Sequence, residues 1–100
     1  METQTFLVVE ATPNPDHAED LQKYGSQSYA LMQKHGGVPV ANYKVQSAMD
    51  SGDRPAMIGV FSFPNAEAIH ELLVKGPEYQ KIVPFRDKGF KRLRLFVCGD

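Results

Sequence analysis

Apolar residues alternate with polar ones, or recur at helical spacing, in a regular order along the chain. Residues 5–11 open with a run of aromatic and β-branched side chains, Phe6 to Val9, which predicts a strand. Pro13 and Pro15 end it, because proline cannot donate to an interior ladder. The same pattern predicts three further strands, over residues 38–46, 57–63 and 91–98. Pro39 near the start of the second strand indicates an edge position.

A helix is predicted between the first two strands, with one apolar face across about four turns. The face consists of Leu21, Tyr24, Ser28, Leu31, Met32 and His35. Two caps fit its start: Asn14 followed by Pro15, or Asp16 with Glu19 in a capping box. Gly36-Gly37 ends the helix, and Gly25 within it suggests a close approach to the sheet.

A second helix is predicted after the third strand, with Asn65 as its cap. Its buried stripe consists of Ala66, Ile69, Leu72 and Leu73. Gly76-Pro77 interrupts it, and residues 78–85 are predicted to form a further short helix. The turn residues Asp50-Ser51-Gly52-Asp53 join strands two and three as a hairpin.

The element order is therefore β-α-β-β-α-β, the α+β arrangement of ferredoxin-like folds. Right-handed crossovers place both helices on one face of an antiparallel sheet. The third strand, 57–63, is apolar on both faces, although an uncovered sheet face is normally polar. A second identical subunit would cover it, and we expect a homodimer. The alternative is a modest exposed patch.

Composition limits the classes that remain. The 100 residues predict one domain, 1–100, and the net charge of −1 gives no general attraction to nucleic acid or to anionic membranes. The single cysteine, Cys98, excludes an intrachain disulfide. The apolar run behind the polar N-terminus is too short for a signal peptide or a membrane span. We therefore expect a cytoplasmic protein without membrane contact.

Three residues near the end of the second helical region could bind a ligand. Arg86 and Glu78 lie about two helical turns apart, and an arginine there could hold a carboxylate or an enolate-like oxygen. The structural alternative is a salt bridge that holds this region to the sheet. Tyr79 is either a core anchor with a satisfied hydroxyl or an acid catalyst.

Two further sets of polar residues lie on predicted strands. Asn42 and Tyr43 alternate on the second strand, so only one of them faces the helices and the cleft expected there. Arg92 and Arg94 share one face of the last strand. They form either a solvated face or an anion-binding wall near the dimer interface. Nucleic-acid binding is disfavoured, because no RNA-binding strand motif is present.

The histidines do not indicate a metal site. His17 lies near Asp16 and Asp20 at a helix start, His35 precedes the glycine cap, and His70 lies off the apolar stripe. None has the spacing of a known ligand motif, and no phosphate loop or serine-nucleophile motif is present. We therefore predict neither a metal nor a cofactor.

Several short motifs are informative together: Phe63-Pro64-Asn65-Ala66-Glu67-Ala68, then Pro77-Glu78-Tyr79-Gln80 and Arg86, and before them His35-Gly36-Gly37. In these motifs the sequence resembles a mostly bacterial family, domain of unknown function 1330. That family is similar to the dimeric α+β barrel superfamily. The resemblance implies two ferredoxin-like subunits packed sheet against sheet. It departs at Leu72, Leu73 and Val74, where the family commonly has a pair of aromatic residues.

The superfamily includes cofactor-free monooxygenases, isomerases, haem-degrading enzymes and ligand-sensing domains, so the resemblance implies no single reaction. Our leading hypothesis is a small-molecule-binding dimeric α+β barrel protein, as a cofactor-free monooxygenase- or isomerase-like enzyme. The alternatives are a non-catalytic binding or sensing module, and anion or nucleic-acid binding through the basic C-terminal segment. A cleft containing at least one titratable residue would favour an enzyme.

Overall fold

The computed structural model describes residues 4–99; Met1 to Thr3, part of the polar N-terminus, and Asp100 lie outside it. Four strands form one antiparallel sheet in the order β2-β3-β1-β4. Their bounds are β1 Thr5–Pro13, β2 Val38–Lys44, β3 Met57–Phe63 and β4 Phe90–Gly99. This confirms the predicted ferredoxin-like element order and the edge position of β2.

The helices begin and end at residues that the sequence marks. Asn14 accepts a hydrogen bond from the Asp16 backbone N–H at 3.1 Å, so the cap at Asn14 is the one used. It precedes a 3₁₀ turn, Pro15–His17, and then helix α1, Ala18–Lys34. The predicted end of α1 is confirmed, since Gly36 has a φ of +84°.

The second helical region has three parts: α2 Ala66–His70, a π-helical turn Glu71–Lys75, and α3 Pro77–Gly89. Asn65 caps α2, where its side chain accepts from the Ala68 N–H at 2.8 Å. Helix α3 is longer than the predicted 78–85 and continues past Pro84 to Gly89. Gly89 lies so close to α1 that an added Cβ would come within 2.8 Å of the Leu21 Cα.

The sheet register assigns each strand residue to one of two faces. Leu7 pairs with Phe61 and Val97, and these odd-numbered positions face the helices. The core lies between this covered face and the helices. Its buried residues include Leu7, Tyr24, Met32, Phe63, Ile69, Leu72, Tyr79 and Ile82. Val8 pairs with Val60 and Phe96 on the other side, which we call the open face.

Three local expectations were wrong. Strand β1 extends to Pro13 rather than ending at Ala11, because a register shift at its end accommodates the proline. Ala66 is exposed, so the buried stripe of the second region is narrower than predicted. Gly25 makes no close approach, since nothing lies within 4 Å of the position of its missing Cβ.

Candidate functional site

A cleft of about 610 Å³ separates α1 from the covered face of the sheet. Helix α1 forms one wall with residues 21, 25, 28 and 32, which recur at helical spacing on the side of the helix that faces the sheet. The opposite wall comes mainly from alternate residues of the strands. It includes Val9, Ala11, Asn42, Met57, Gly59, Phe61, Leu93 and Leu95. This is the position at which the fold was expected to hold a ligand.

Small residues on both walls explain why the cleft is open. Gly25 contributes no side chain from α1, and the space beside it is empty within 4 Å. Ala11 and Gly59 contribute little from the sheet. A larger residue at 25 would project from the same helical stripe as Leu21 and Ser28 into this space. From the sequence, Gly25 was interpreted as a close approach to the sheet, whereas in the structure this glycine leaves space for the cleft.

A chain of hydrogen bonds leads from the cleft wall into the helical layer. The Tyr24 side chain forms part of the wall, and its hydroxyl is 2.8 Å from that of Tyr79. Arg86 Nη1 donates to the Tyr79 hydroxyl at 3.3 Å. Arg86 Nε contacts Asp87 at 3.3 Å. The order along this chain is therefore cleft, Tyr24, Tyr79, Arg86 and Asp87.

Burial and hydrogen bonding together determine the protonation of the groups in this chain. Burial raises the pKa of the Tyr24 hydroxyl well above its usual value, and the adjacent Tyr79 raises it further. Burial lowers the pKa of Arg86, but hydrogen bonds with Tyr79 and Asp87 outweigh it, so this pKa is raised overall. Tyr24 is therefore neutral and Arg86 charged near pH 7. A neutral tyrosine on the wall can donate a hydrogen bond but cannot act as a base.

The other predicted ligand residues are separated by the fold. Tyr79 is 1% exposed and lies in the core. Glu78 accepts from Lys34 Nζ at 2.6 Å, which joins α3 to α1 instead of to the sheet. That contact lowers the pKa of the exposed Glu78 carboxyl. Asn42 lines the cleft, whereas Tyr43 pairs with Ile58 on the open face and is exposed.

The open face is apolar at its centre and charged toward one end. Val8, Val60 and Phe96 lie side by side in the register and are only partly buried. In the register of β1 and β4, Arg94 lies opposite Glu10, and Arg92 lies opposite Thr12. Arg92 Nη1 lies 3.9 Å from the Asp53 carboxylate. The two arginines therefore share one face as predicted, and each lies near an acidic side chain.

The described part of the chain contains neither a cluster of metal ligands nor a membrane-spanning helix. Within residues 4–99, no three His, Cys, Asp or Glu side chains come together in a way that could hold a metal ion. His17 Nδ1 is 3.4 Å from Asp20 at the start of α1. No helix between residues 4 and 99 has the length and hydropathy to cross a bilayer.

The sheet order β2-β3-β1-β4 with all helices on one face defines a ferredoxin-like α+β protein. Over residues 4–99 the sequence matches the family described as domain of unknown function (DUF1330). The chain belongs to this family. No protein with a curated description matches it.

Solved structures share the fold at low sequence identity. A protein of unknown function from Rhodopseudomonas palustris has a TM-score of 0.80 at 18% identity, over 98% of this chain and 82% of that one. A dimeric ferredoxin-like protein of unknown function from Jannaschia sp. CCS1 has a TM-score of 0.69 at 10% identity, over 95% and 97%. A Nitrosomonas europaea protein, provisionally described as an antibiotic biosynthesis monooxygenase, has a TM-score of 0.61 at 9% identity, over 98% and 89%.

Sequence reasoning missed three residues of the site. Tyr24 was assigned to the apolar face of α1, but its hydroxyl begins the chain to Arg86. Gly59 was recognised only as a strand residue, although it lines the cleft. Lys91, together with Arg86 and Arg92, lines a second cavity at the edge of β4.

Proposed function

We propose that this protein is a homodimer that binds an apolar small molecule in the cleft between α1 and the covered face of each subunit. The cleft itself is the observation that carries the proposal. Its volume of about 610 Å³ lies within the range of small-molecule sites. Its wall is mostly apolar, with a few polar groups from Tyr24, Ser28, Tyr29 and Asn42.

The open face supports the dimer. A two-fold interface brings the same patch of both subunits together, so the patch must complement itself. The apolar centre of the open face, Val8, Val60 and Phe96, can pack against its own copy. The end that carries both Glu10 and Arg94 offers opposite charges to a symmetry mate. The dimeric Jannaschia protein has a similar fold. Light scattering at micromolar concentration tests this, and the 11.2 kDa mass of a monomer would contradict it.

Ligand binding is tested with N-phenyl-1-naphthylamine, an uncharged probe whose fluorescence rises in apolar sites. The wild-type protein should enhance its fluorescence saturably. Gly25→Leu should abolish the enhancement, because the new side chain occupies the cleft. Ala30→Leu adds similar bulk at an exposed position of the same helix that does not line the cleft, and serves as the control. Equal enhancement by wild type and Gly25→Leu would contradict the proposal.

A second function, cofactor-free oxygenase or isomerase chemistry, is favoured by Tyr24. This titratable side chain lies on the cleft wall and is linked through Tyr79 to the charged Arg86. It could donate a hydrogen bond to the oxygen of an enolate that forms in the cleft when hydroxide from the solvent removes the proton next to the carbonyl. The resemblance of the fold to the Nitrosomonas protein is consistent with this function.

Hydrogen–deuterium exchange in a small ketone tests the second function. The C–H groups next to the carbonyl of 2-tetralone, an apolar ketone, exchange with D₂O through an enolate. The protein should accelerate this exchange, and Tyr24→Phe should slow it without weakening binding. An exchange rate equal to that of buffer would leave non-catalytic binding as the function.

We retain the cytoplasmic location as a prediction from the sequence.

A further inference from the structure

A second cavity lies directly beside the cleft. It is a groove of about 340 Å³ at the outer edge of β4, where the end of α3 meets the strand. Phe90, Leu93 and Leu95 line both the groove and the cleft. The remaining lining residues of the groove are Arg86, Asp87, Lys91 and Arg92. An apolar cavity and a charged one therefore share a wall.

The groove has an excess of positive charge. Its only carboxylate, Asp87, is engaged by Arg86 Nε at 3.3 Å. Lys91 has no ion pair with any residue in the described range 4–99, and Arg92 has one loose ion pair, at 3.9 Å, with the fully exposed side chain of Asp53. Arg86 Nη1 is held by Tyr79, whereas Nη2 has no hydrogen-bond partner among the same residues. Two cations and one guanidinium nitrogen thus remain available to an anion.

We propose that the ligand is an apolar molecule carrying one carboxylate, whose apolar body occupies the cleft and whose carboxylate binds Arg86, Lys91 and Arg92 in the groove. The cleft and the groove adjoin along Phe90, Leu93 and Leu95, so the apolar body and the carboxylate of one ligand can lie next to each other. A polyanion fits less well. Arg94, which lines a neighbouring pocket together with Arg92, lies opposite Glu10 in the sheet, so an acidic side chain interrupts the basic surface beyond the groove. The proposal rests on the proposed function, since it names the ligand class of the same cleft.

A matched pair of ligands tests the charge. 1-Naphthaleneacetate and 2-(1-naphthyl)ethanol share a ring system and differ in the anionic group. Each is used to displace N-phenyl-1-naphthylamine from wild type and from the double variant Lys91→Gln/Arg92→Gln. The double variant should bind the acetate about tenfold more weakly, since each exposed pairing contributes modestly. Binding of the alcohol should change by less than about twofold, because it makes no charged contact.

The control is Lys81→Gln/Lys88→Gln, which removes two exposed lysines of α3 that line neither cavity. It should leave the affinities for both ligands unchanged. If neither the alcohol nor the naphthylamine binds wild type, the proposed function fails. If the alcohol binds and Lys91→Gln/Arg92→Gln affects both ligands equally, or neither, the carboxylate proposal is overturned while the proposed function stands. An equal loss in the control would also overturn it, because general attraction of anions would then explain the result.

Discussion

The covered face and the open face of the sheet contain similar amino acids but have different surroundings. Leu7 on the covered face is fully buried under the helices, whereas its neighbour Val8 on the open face is only partly buried. Helices protect the first face and leave a cleft beside it. Over the described residues, the second face has no helical layer, and only Asp53 and Pro55 of the loop before β3 lie against its charged end. Apolar composition alone therefore does not distinguish a buried core face from a face without a helical layer; the neighbouring layer does.

Introducing an aspartate on each face in turn should give the largest difference between the two faces. Leu7→Asp places a carboxylate in a core without a partner for it, which costs several kcal/mol, on the order of the whole stability of a small domain. We expect this variant to be unfolded by circular dichroism. Val8→Asp should remain folded but become monomeric by analytical ultracentrifugation. A dimeric Val8→Asp protein would show that the open face is not the interface.

Removal of one hydroxyl should give a smaller difference in the free energy of unfolding between a core position and an open-face position. Tyr79→Phe deletes the group that bonds Tyr24 and Arg86, and should lower the free energy of unfolding by about 1–2 kcal/mol. Tyr43→Phe removes the same atom from an exposed residue of the open face, and should change it by less than about 0.5 kcal/mol. Urea denaturation measures both. Similar values for the two variants would contradict the role of the buried chain.

The empty space beside Gly25 predicts a gain in stability. Gly25→Ala should raise the free energy of unfolding by about 0.5–1 kcal/mol, because alanine favours the helix and its Cβ contacts nothing within 4 Å. Gly36→Ala is the opposing control. At a φ of +84° its Cβ would come within 2.8 Å of Pro64 Cγ, so this variant should be less stable than wild type. A loss of stability in Gly25→Ala would indicate that the cleft is closed.

Removal of the exposed ion pair between Lys34 of α1 and Glu78 of α3 should have the smallest effect on stability. Lys34 lowers the pKa of Glu78 below 4.5 in the folded protein, so the pair stabilises the fold above that pH. The contribution is lost as the pH falls through the lowered pKa. Glu78→Gln should therefore lose less of its melting temperature on acidification below pH 4.5 than wild type. Parallel curves for the two proteins would contradict the assignment.

Much of the fold was predictable because it depends on local signals. Strand β3 occupies the predicted residues 57–63, and Asn65 and Gly36 act as the predicted helix boundaries. These features follow from periodicity and from capping chemistry, which act over a few residues.

The candidate site was less predictable, because its contacts join distant parts of the chain. The Tyr24–Tyr79 bond spans 55 residues, and no local pattern marks it. Glu78 and Arg86 share a helix, but their partners differ: Lys34 of α1 for Glu78, and Tyr79 and Asp87 for Arg86. The groove is formed by α3 and β4 together, so Lys91 acquires its significance only in three dimensions.

Sedimentation velocity with 1-naphthaleneacetate, recorded at the absorbance of the ligand, tests most directly whether the two faces have separate functions. We expect the ligand to sediment with a wild-type dimer, Gly25→Leu to be a dimer without ligand, and Val8→Asp to be a monomer with ligand. The opposite pattern, in which Gly25→Leu keeps the ligand and Val8→Asp loses it, would place the binding site on the open face and contradict the account.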